Sequence, residues 1–193
     1  MPFVETIPEE DADGAVAEIY DEMREQFGYL PNLVRAFSLR PEAYRGWLQL
    51  NGAIKAHDLR RYELATLAAA RRLRSSYCAL QHGKVLAQQF LSFEDVLGLP
   101  EGLDEADRVV MELAEKVVDD ATSVTQADVD RLRTLGLSDP EILDVVLAAA
   151  ARCFFSKTLD ALGVLPDAAY AELPSEFREA LTVGRPIEAA DAG

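Results

Sequence analysis

The sequence predicts an all-α fold, and three observations support this prediction. Apolar residues recur at helical spacing along most of the chain, and no segment alternates convincingly between apolar and polar residues. Prolines and capping residues stand before the periodic segments, and glycines directly follow several of them. The 193 residues have a hydrophobic content of 49%, which is enough to bury one substantial core. We therefore expect a compact helical bundle.

The N-terminal part of the chain is predicted to form three helices. The first spans about residues 12–26 and stops at Gly28, a common residue at helix ends. A short second helix opens within residues 31–40. Pro41 suits the first turn of a third helix, which covers about residues 41–56.

The middle of the chain predicts two consecutive helices. Residues 59–73 are apolar on most sides, which is typical of a buried helix. Ser75 and Ser76 are good N-caps for a helix that continues to about Leu91. A loop is expected over residues 92–102.

The C-terminal part is predicted to contain four further helices, and several local signals mark their ends. Thr125 can cap one helix, and Gly136 can stop it. Ser138 and Glu141 form a capping box at the start of a long helix that ends at Gly163. The predicted ranges are 104–118, 125–135, 138–162 and 175–181.

The residues that suggest chemistry lie within the segment YELATLAAARRLRSSYCALQH, residues 62–82. Cys78 and His82 are four residues apart, so on a helix they share one face, within reach of each other. A chain reversal near residues 74–76 could fold Glu63 back over this pair. A thiol beside an imidazole and a carboxylate, close to a helix N-terminus, favours a thiolate at neutral pH. We therefore expect a reactive thiol at Cys78.

The same spacing resembles the active-site signature of the alkylhydroperoxidase D-like branch of the carboxymuconolactone decarboxylase superfamily. That signature is a glutamate, eleven residues, a Cys-x-x-Cys pair, three residues and a histidine, and here Glu63, Cys78 and His82 match it. Ser75 stands where the first cysteine would be. Residues 7–164 as a whole resemble the two-repeat, peroxidase-related members of this superfamily.

The resemblance implies an alkylhydroperoxidase D-like helical bundle and a thiol-dependent hydroperoxide reductase. Cys78 would be the nucleophile, with His82 and Glu63 as its proton relay. In the resembled family two cysteines cycle between dithiol and disulfide, a bridge that Ser75 cannot form. An oxidised Cys78 would then need an external thiol or dithiol reductant. Ser75 and Tyr77 are expected to shape the site, Ser75 by hydrogen-bonding the thiolate or a substrate oxygen.

Each candidate residue also has a purely structural interpretation. Cys78 could be a small buried hydrophobe, Glu63 an ordinary charge in a first helical turn, and Ser75 only an N-cap. His57 matches no position of the signature, so we expect it to be solvated. Cys153 is a possible internal resolving thiol, although a buried helix face seldom exposes its thiol.

An internal duplication is predicted when Glu141 is aligned with Glu63. The alignment then pairs Ser75 with Cys153, Cys78 with Ser156, and His82 with Asp160. The chain is accordingly expected to be a single domain, 1–193, with two related helical hairpins at about 57–91 and 135–163 and an N-terminal helical extension over 1–56. Because the second half lacks the thiol–imidazole pair, we expect it to serve the scaffold.

Composition and charge narrow the classes of function. The net charge of −15 disfavours binding to nucleic acid or to an anionic membrane surface. The chain begins without an apolar signal core, its apolar runs are too short to span a bilayer, and its two cysteines form no disulfide framework. These features favour a cytoplasmic protein.

No cofactor is expected, because the sequence has no glycine-rich phosphate loop, histidine–carboxylate metal set or nucleophile elbow. The expected partners are a hydroperoxide, a thiol reductant and further copies of the chain. Association is expected because residues 29–47, 64–70 and 142–155 carry more apolar surface than one small bundle buries. Two other functions stay open. One is a carboxymuconolactone decarboxylase-like enzyme that uses His82 and Glu63 for acid–base chemistry, and the other is a non-catalytic oligomeric relic of the fold.

Overall fold

A computed structural model describes residues 2–189, and within that range the chain forms ten α-helices and no β-strand. The helices are α1 (Gly14–Phe27), α2 (Asn32–Ala36), α3 (Pro41–Lys55), α4 (Leu59–Arg72), α5 (Ser76–Gln89), α6 (Phe93–Leu97), α7 (Glu105–Asp120), α8 (Gln126–Thr134), α9 (Asp139–Ala161) and α10 (Ser175–Leu181). Three short 3-10 turns lie at Glu9–Asp11, Ala121–Ser123 and Ala168–Glu172. The all-α prediction is confirmed.

Local signals set most helix ends. Gly28 adopts the left-handed conformation with φ of 80°, which ends α1 as predicted. Pro41 is the first residue of α3, and the Ser138 capping box opens α9. The predicted loop over residues 92–102 is wrong in part, because Ser92 starts α6 with a capping box of its own. Helix α6 has only five residues, so apolar periodicity does not indicate it, and no proline precedes it as Pro31 precedes α2.

Helix α4 lies at the centre of the bundle. Its nine consecutive residues from Tyr62 to Ala70 are all buried, as the apolar sequence predicts. Helices α5, α7 and α9 pack against it, and α3 packs against α9. Polar side chains on α4, notably Glu63 and Thr66, therefore lie inside the protein.

A tight turn joins α4 to α5. Arg74 adopts a positive φ of 57°, and the Ser75 amide donates to the Ala70 carbonyl at 3.0 Å. The chain reverses here, as predicted for residues 74–76, so that α5 runs back along α4. This reversal brings residues near the start of α4 beside residues of α5.

The two segments of the predicted duplication differ in backbone structure. Residues 63–82 span α4, the turn and α5, whereas residues 141–160 lie within the single helix α9. The positions of α9 that correspond to the turn stay helical. The repeat itself stays a prediction from the sequence.

Several large apolar side chains lie on the surface of the bundle. Leu50 on α3 and both Leu143 and Phe154 on α9 are 50–55% exposed. The Phe154 ring lies 5.8 Å from the Trp47 ring of α3, so apolar surface continues from one helix to the other. None of the described helices is long and apolar enough to cross a membrane.

Candidate active site

Glu63 on α4 and His82 on α5 form a buried pair. The Glu63 Oε2 atom lies 2.6 Å from His82 Nδ1, and the two residues are 4% and 8% exposed. Burial lowers the pKa of the His82 imidazole. The Glu63 carboxylate acts to raise this pKa, and the nearby Arg152 guanidinium lowers it further. A neutral imidazole in this position carries its proton on Nδ1 and donates it to Glu63. The other ring nitrogen, Nε2, is then an acceptor.

Arg152 on α9 occupies the space between the imidazole and the thiol. Its Nη1 atom donates to His82 Nε2 at 3.0 Å and to Cys78 Sγ at 3.5 Å. Arg152 is only 3% exposed and Cys78 only 2%. Within the described residues, no hydrogen bond joins Cys78 directly to His82. The Arg152 guanidinium therefore links the thiol and the imidazole, which the sequence predicts on one face of a helix.

Arg152 is not among the residues predicted from the sequence, and it brings a side chain of the second half, which was expected to serve the scaffold, into contact with Cys78 and His82. The partners of Arg152 lie 70 and 74 residues away, so no local spacing indicates the contact. One signal was available: Arg152 is the single charged residue within the apolar run VVLAAAARCFF of α9. A lone charge in a buried helix needs a specific partner.

Aromatic rings enclose the Arg152 guanidinium. Its central carbon lies 5.1 Å from the centroid of the Trp47 ring and 5.3 Å from that of Phe155. The two rings stack at 4.4 Å, and such faces attract a cation. Although burial opposes the charge, the neighbouring Cys78 and Tyr62 raise the pKa of Arg152. The site therefore contains a permanent cation in contact with the sulfur.

Tyr62 separates this cluster from a surface cleft. Its ring centroid lies 5.9 Å from that of the His82 ring, in a T-shaped arrangement, and its hydroxyl donates to Asn51. The cleft, about 100 Å³ in volume, is lined by Tyr62 together with His57, Arg61 and other residues of α3, α4 and α9. His57 is exposed at this cleft, as expected for a residue outside the signature.

Ser75 is at the N-cap position of α5, but its hydroxyl does not cap the helix. The side chain is completely buried and its Oγ atom has no hydrogen-bond partner of normal geometry. Burial raises the pKa of the Asp160 carboxyl, and the nearby Ser75 hydroxyl partly opposes this increase. The interpretation of Ser75 as only an N-cap is wrong, since the hydroxyl points into the bundle and makes no cap.

Tyr77 points away from the thiol. Its hydroxyl donates to the buried Asp167 carboxylate, which also accepts from Tyr29 at 3.1 Å and from the Asn32 amide at 2.7 Å. These contacts hold α5 against the N- and C-terminal segments, and a direct role for Tyr77 in the site stays a prediction. Burial raises the pKa of Tyr77, with the Asp167 charge adding to the effect.

Both cysteines are free thiols. Cys153 directly follows Arg152 on α9 and is partly exposed, whereas Cys78 is buried. A role for Cys153 as a resolving thiol stays a prediction. Among the described residues no group of three or more histidine, cysteine or acidic side chains could hold a metal ion.

The comparisons with known proteins support the fold of this site. No protein-family model and no curated protein matches the chain. An uncharacterised peroxidase-related protein from Ralstonia eutropha JMP134, an alkylhydroperoxidase AhpD core, superposes with a TM-score of 0.76 at 19% identity, over 95% of this chain and 98% of that chain. A peroxidase-related protein from Silicibacter sp. TM1040 gives 0.73 at 20% identity, over 89% and 92% of the two chains.

A third similar structure is the debrominase Bmp8 in complex with 2,3,4-tribromopyrrole. It superposes with a TM-score of 0.73 at 14% identity, over 93% of this chain and 97% of that chain. Together these likenesses show that the chain has the alkylhydroperoxidase-like helical fold, as the Glu–Cys–His signature predicts.

Proposed function

We propose that this protein is a thiol-dependent hydroperoxide reductase with Cys78 as its nucleophile. The observation that carries the proposal is the buried set of contacts from Glu63 through His82 and Arg152 to the Cys78 sulfur. A cation in contact with a cysteine favours its ionised form, and the thiolate is the form that attacks. Two structures of this fold are described as peroxidase-related, which supports the same reaction class.

The oxidising step is a displacement at oxygen. The Cys78 thiolate attacks the outer oxygen of the hydroperoxide, a sulfur–oxygen bond forms and the oxygen–oxygen bond breaks. The products are a Cys78 sulfenic acid and an alkoxide. The His82–Glu63 pair, whose imidazole is neutral in the resting protein, takes up the proton of the thiol as the reaction begins and returns it to the alkoxide, which leaves as an alcohol.

The reducing step needs thiols from outside the chain. Ser75 cannot attack the sulfenic acid, so an external thiol forms a mixed disulfide with Cys78 and releases water. A second thiol then displaces Cys78 and leaves as the oxidised disulfide. Two thiol groups are consumed for each hydroperoxide, so a small-molecule thiol or a dithiol protein is the proposed reductant. We place the protein in the reducing cytoplasm for this reason.

A matched pair of cysteine variants tests the proposal. With dithiothreitol as reductant, the wild type and Cys153→Ser should consume cumene hydroperoxide or hydrogen peroxide, and Cys78→Ser should not. Circular dichroism checks that all three proteins are folded. Consumption by Cys78→Ser at the wild-type rate would refute the assignment of the nucleophile.

A second function is favoured by one observation, namely that the Glu63–His82 pair is hydrogen-bonded independently of the thiol. Such a pair could move protons in a carboxymuconolactone decarboxylase-like reaction, with Arg152 facing a substrate carboxylate. In that case turnover of a carboxylated lactone or keto acid should survive Cys78→Ala. A non-catalytic relic would show neither this turnover nor consumption of hydroperoxide.

We also propose that the chain forms homo-oligomers. The exposed Leu50, Leu143 and Phe154 side chains supply apolar surface on α3 and α9 that a second copy could cover. Light scattering at micromolar concentration and moderate salt should give a mass at least twice the 21.2 kDa of one chain. A monomer under those conditions would contradict the proposal.

A further inference from the structure

Most of the buried polar atoms that lack hydrogen-bond partners lie on α4 and α9 or at the start of α5, the helices that carry Glu63, Arg152 and Cys78. In the part of the chain that the structure describes, five buried side-chain atoms have no partner. One belongs to Arg178 on α10, and the other four are Thr66 Oγ1, which lies near the Tyr62 hydroxyl, Ser75 Oγ, which lies near the Asp160 carboxylate, Arg152 Nε and Ser156 Oγ. Buried polar groups are almost always hydrogen-bonded, so a cluster of exceptions points to a polar ligand.

The register of α4 against α5 places Thr66 level with the thiol. These helices run in opposite directions because the chain reverses between them, and Glu63 faces His82. One turn along α4 leads from Glu63 to Thr66 on the same face. One turn back along α5 leads from His82 to Cys78. Both steps go the same way along the bundle, so the Thr66 hydroxyl and the Cys78 sulfur reach the same level.

The register of α9 places Ser156 at that level as well. Arg152 contacts His82, and further along α9 the Asp160 carboxylate lies near Ser75 at the start of α5. Ser156 is one turn from each of these α9 residues and shares their face. Its hydroxyl is completely buried. It therefore lies between the two contacts, opposite the first turn of α5, which carries the thiol.

We propose that Arg152, Thr66 and Ser156 form the oxygen-binding part of the active site. Arg152 Nη1 holds the ionised sulfur of Cys78, while its Nε and the two hydroxyls bind the leaving oxygen of the substrate. The inference rests on the proposed function and narrows its substrate to a compact hydroperoxide, such as hydrogen peroxide. A compact substrate is indicated because Cys78 is 2% exposed and its neighbours are buried.

The chemistry of the displacement explains why such donors are needed. As the sulfur–oxygen bond forms and the oxygen–oxygen bond breaks, negative charge moves from the sulfur to the leaving oxygen. A fixed cation and hydroxyl donors in a buried site stabilise this charge without reorganising. The leaving oxygen then takes the proton held by the His82–Glu63 pair and departs as water or an alcohol. Arg152 is a permanent cation and thus stabilises the ionised sulfur, a role that the sequence pattern assigns to His82.

Two readouts separate the roles of these residues. Alkylation of Cys78 by iodoacetamide at pH 7 measures the ionised sulfur and needs no peroxide, whereas stopped-flow oxidation by hydrogen peroxide measures both the sulfur and the oxygen pocket. Arg152→Met should slow both reactions, the oxidation by about a hundredfold. Thr66→Val and Ser156→Ala should each slow the oxidation by about tenfold, as expected for one lost hydrogen bond, and leave alkylation unchanged.

The control is Arg71→Gln, which removes a partly buried arginine of α4 whose side chain bonds the Leu99 carbonyl instead of the site. It should change neither rate. If Arg152→Met does not fold, Arg152→Lys replaces it. The lysine variant should lose less of the alkylation rate than of the oxidation rate.

Two results would overturn the inference while leaving the proposed function intact. One is a folded Arg152 variant with wild-type rates of both reactions, and the other is a Thr66 or Ser156 variant that slows alkylation as much as oxidation. Wild-type Cys78 that alkylates rapidly but resists hydrogen peroxide would instead refute the proposed function and the pocket with it.

Discussion

Glu63 and Glu141 occupy matching positions in the two halves of the predicted repeat, yet their surroundings are opposite. Glu63 is 4% exposed and bonds His82 inside the bundle. Glu141 lies in the first turn of α9, where the Ser138 hydroxyl and amide, together with Arg61, lower its pKa to about 2. Glu141 is therefore a permanently charged helix cap. The comparison teaches that burial and partners, rather than residue type, distinguish a carboxylate that bonds a buried imidazole from one that caps a helix.

The halves nevertheless contribute to one site. The first half supplies Cys78 and His82, and the second half has Ser156 and Asp160 at the aligned positions. The second half also supplies Arg152, whose guanidinium contacts both the thiol and the imidazole. The second half, which lacks the thiol–imidazole pair, thus places a side chain in contact with both groups of that pair.

The largest expected effect comes from replacing one of the two glutamates, Glu63, while the same change at Glu141 serves as its control. Glu63→Gln should lower hydroperoxide turnover by about a hundredfold, because the His82 proton relay loses its carboxylate. Glu141→Gln should leave turnover unchanged, since the glutamine can still complete the capping box. Steady-state rates with dithiothreitol measure both. Equal losses in the two variants would show that Glu63 has only a structural role.

The next prediction concerns the position that is serine in the first half and cysteine in the second. Ser75 lies just outside α5 and three residues before Cys78, a spacing at which a helix start can close a disulfide. Ser75→Cys should therefore convert hydroperoxide oxidation into an internal disulfide with Cys78, while Cys153 stays free. Peptide mapping by mass spectrometry detects the bridge. Persistent sulfenate or mixed disulfide in the variant would show that Ser75 does not match the family's first cysteine.

A third prediction compares His82 with Asp160, which align in the predicted repeat, by the pH dependence of the free energy of unfolding. Burial lowers the pKa of His82 below about 6.5, its value in the unfolded chain. Above that pH the imidazole is neutral in both states, so its titration does not change the free energy of unfolding. As the pH falls below that value, the unfolded chain binds a proton that the folded site resists, and stability decreases. Burial raises the pKa of Asp160 above about 3.9, its value in the unfolded chain. As the pH rises from that value, the unfolded chain loses a proton that the folded protein retains, so the free energy of unfolding decreases.

Urea unfolding at several pH values tests these signs. His82→Gln should flatten the loss of stability between pH 7 and pH 5, and Asp160→Asn should flatten the loss above about pH 4. An unchanged slope in His82→Gln would mean that the imidazole is protonated in the folded protein.

The smallest expected effect is on the capping carboxylate. Glu141→Ala should lower the free energy of unfolding by less than about 1 kcal/mol, because it removes a cap whose side chain is 38% exposed and screened by solvent. Hydroperoxide turnover should not change. A loss of turnover would show that Glu141 contributes to the site through Arg61 or the cleft.

How much the sequence reveals depends on the distance between interacting residues. Helix ends at Gly28 and Pro41 were predictable because capping acts within a few residues, and the Glu63–His82 contact followed from one tight turn. The contacts of Arg152 were not predictable, since they join residues 70 or more positions apart. The orientation of the Ser75 hydroxyl depends on the packing of α9, which no local signal encodes.

The most direct test of the account is the fate of Cys78 after a brief pulse of hydrogen peroxide in the presence of a sulfenate-trapping reagent. Mass spectrometry of the digested protein should find the trapped adduct on the peptide that contains Cys78, and the peptide with Cys153 should stay unmodified. Omitting the peroxide should abolish the adduct. An unmodified Cys78, or an adduct on Cys153 alone, would contradict the claim that Cys78 is the nucleophile.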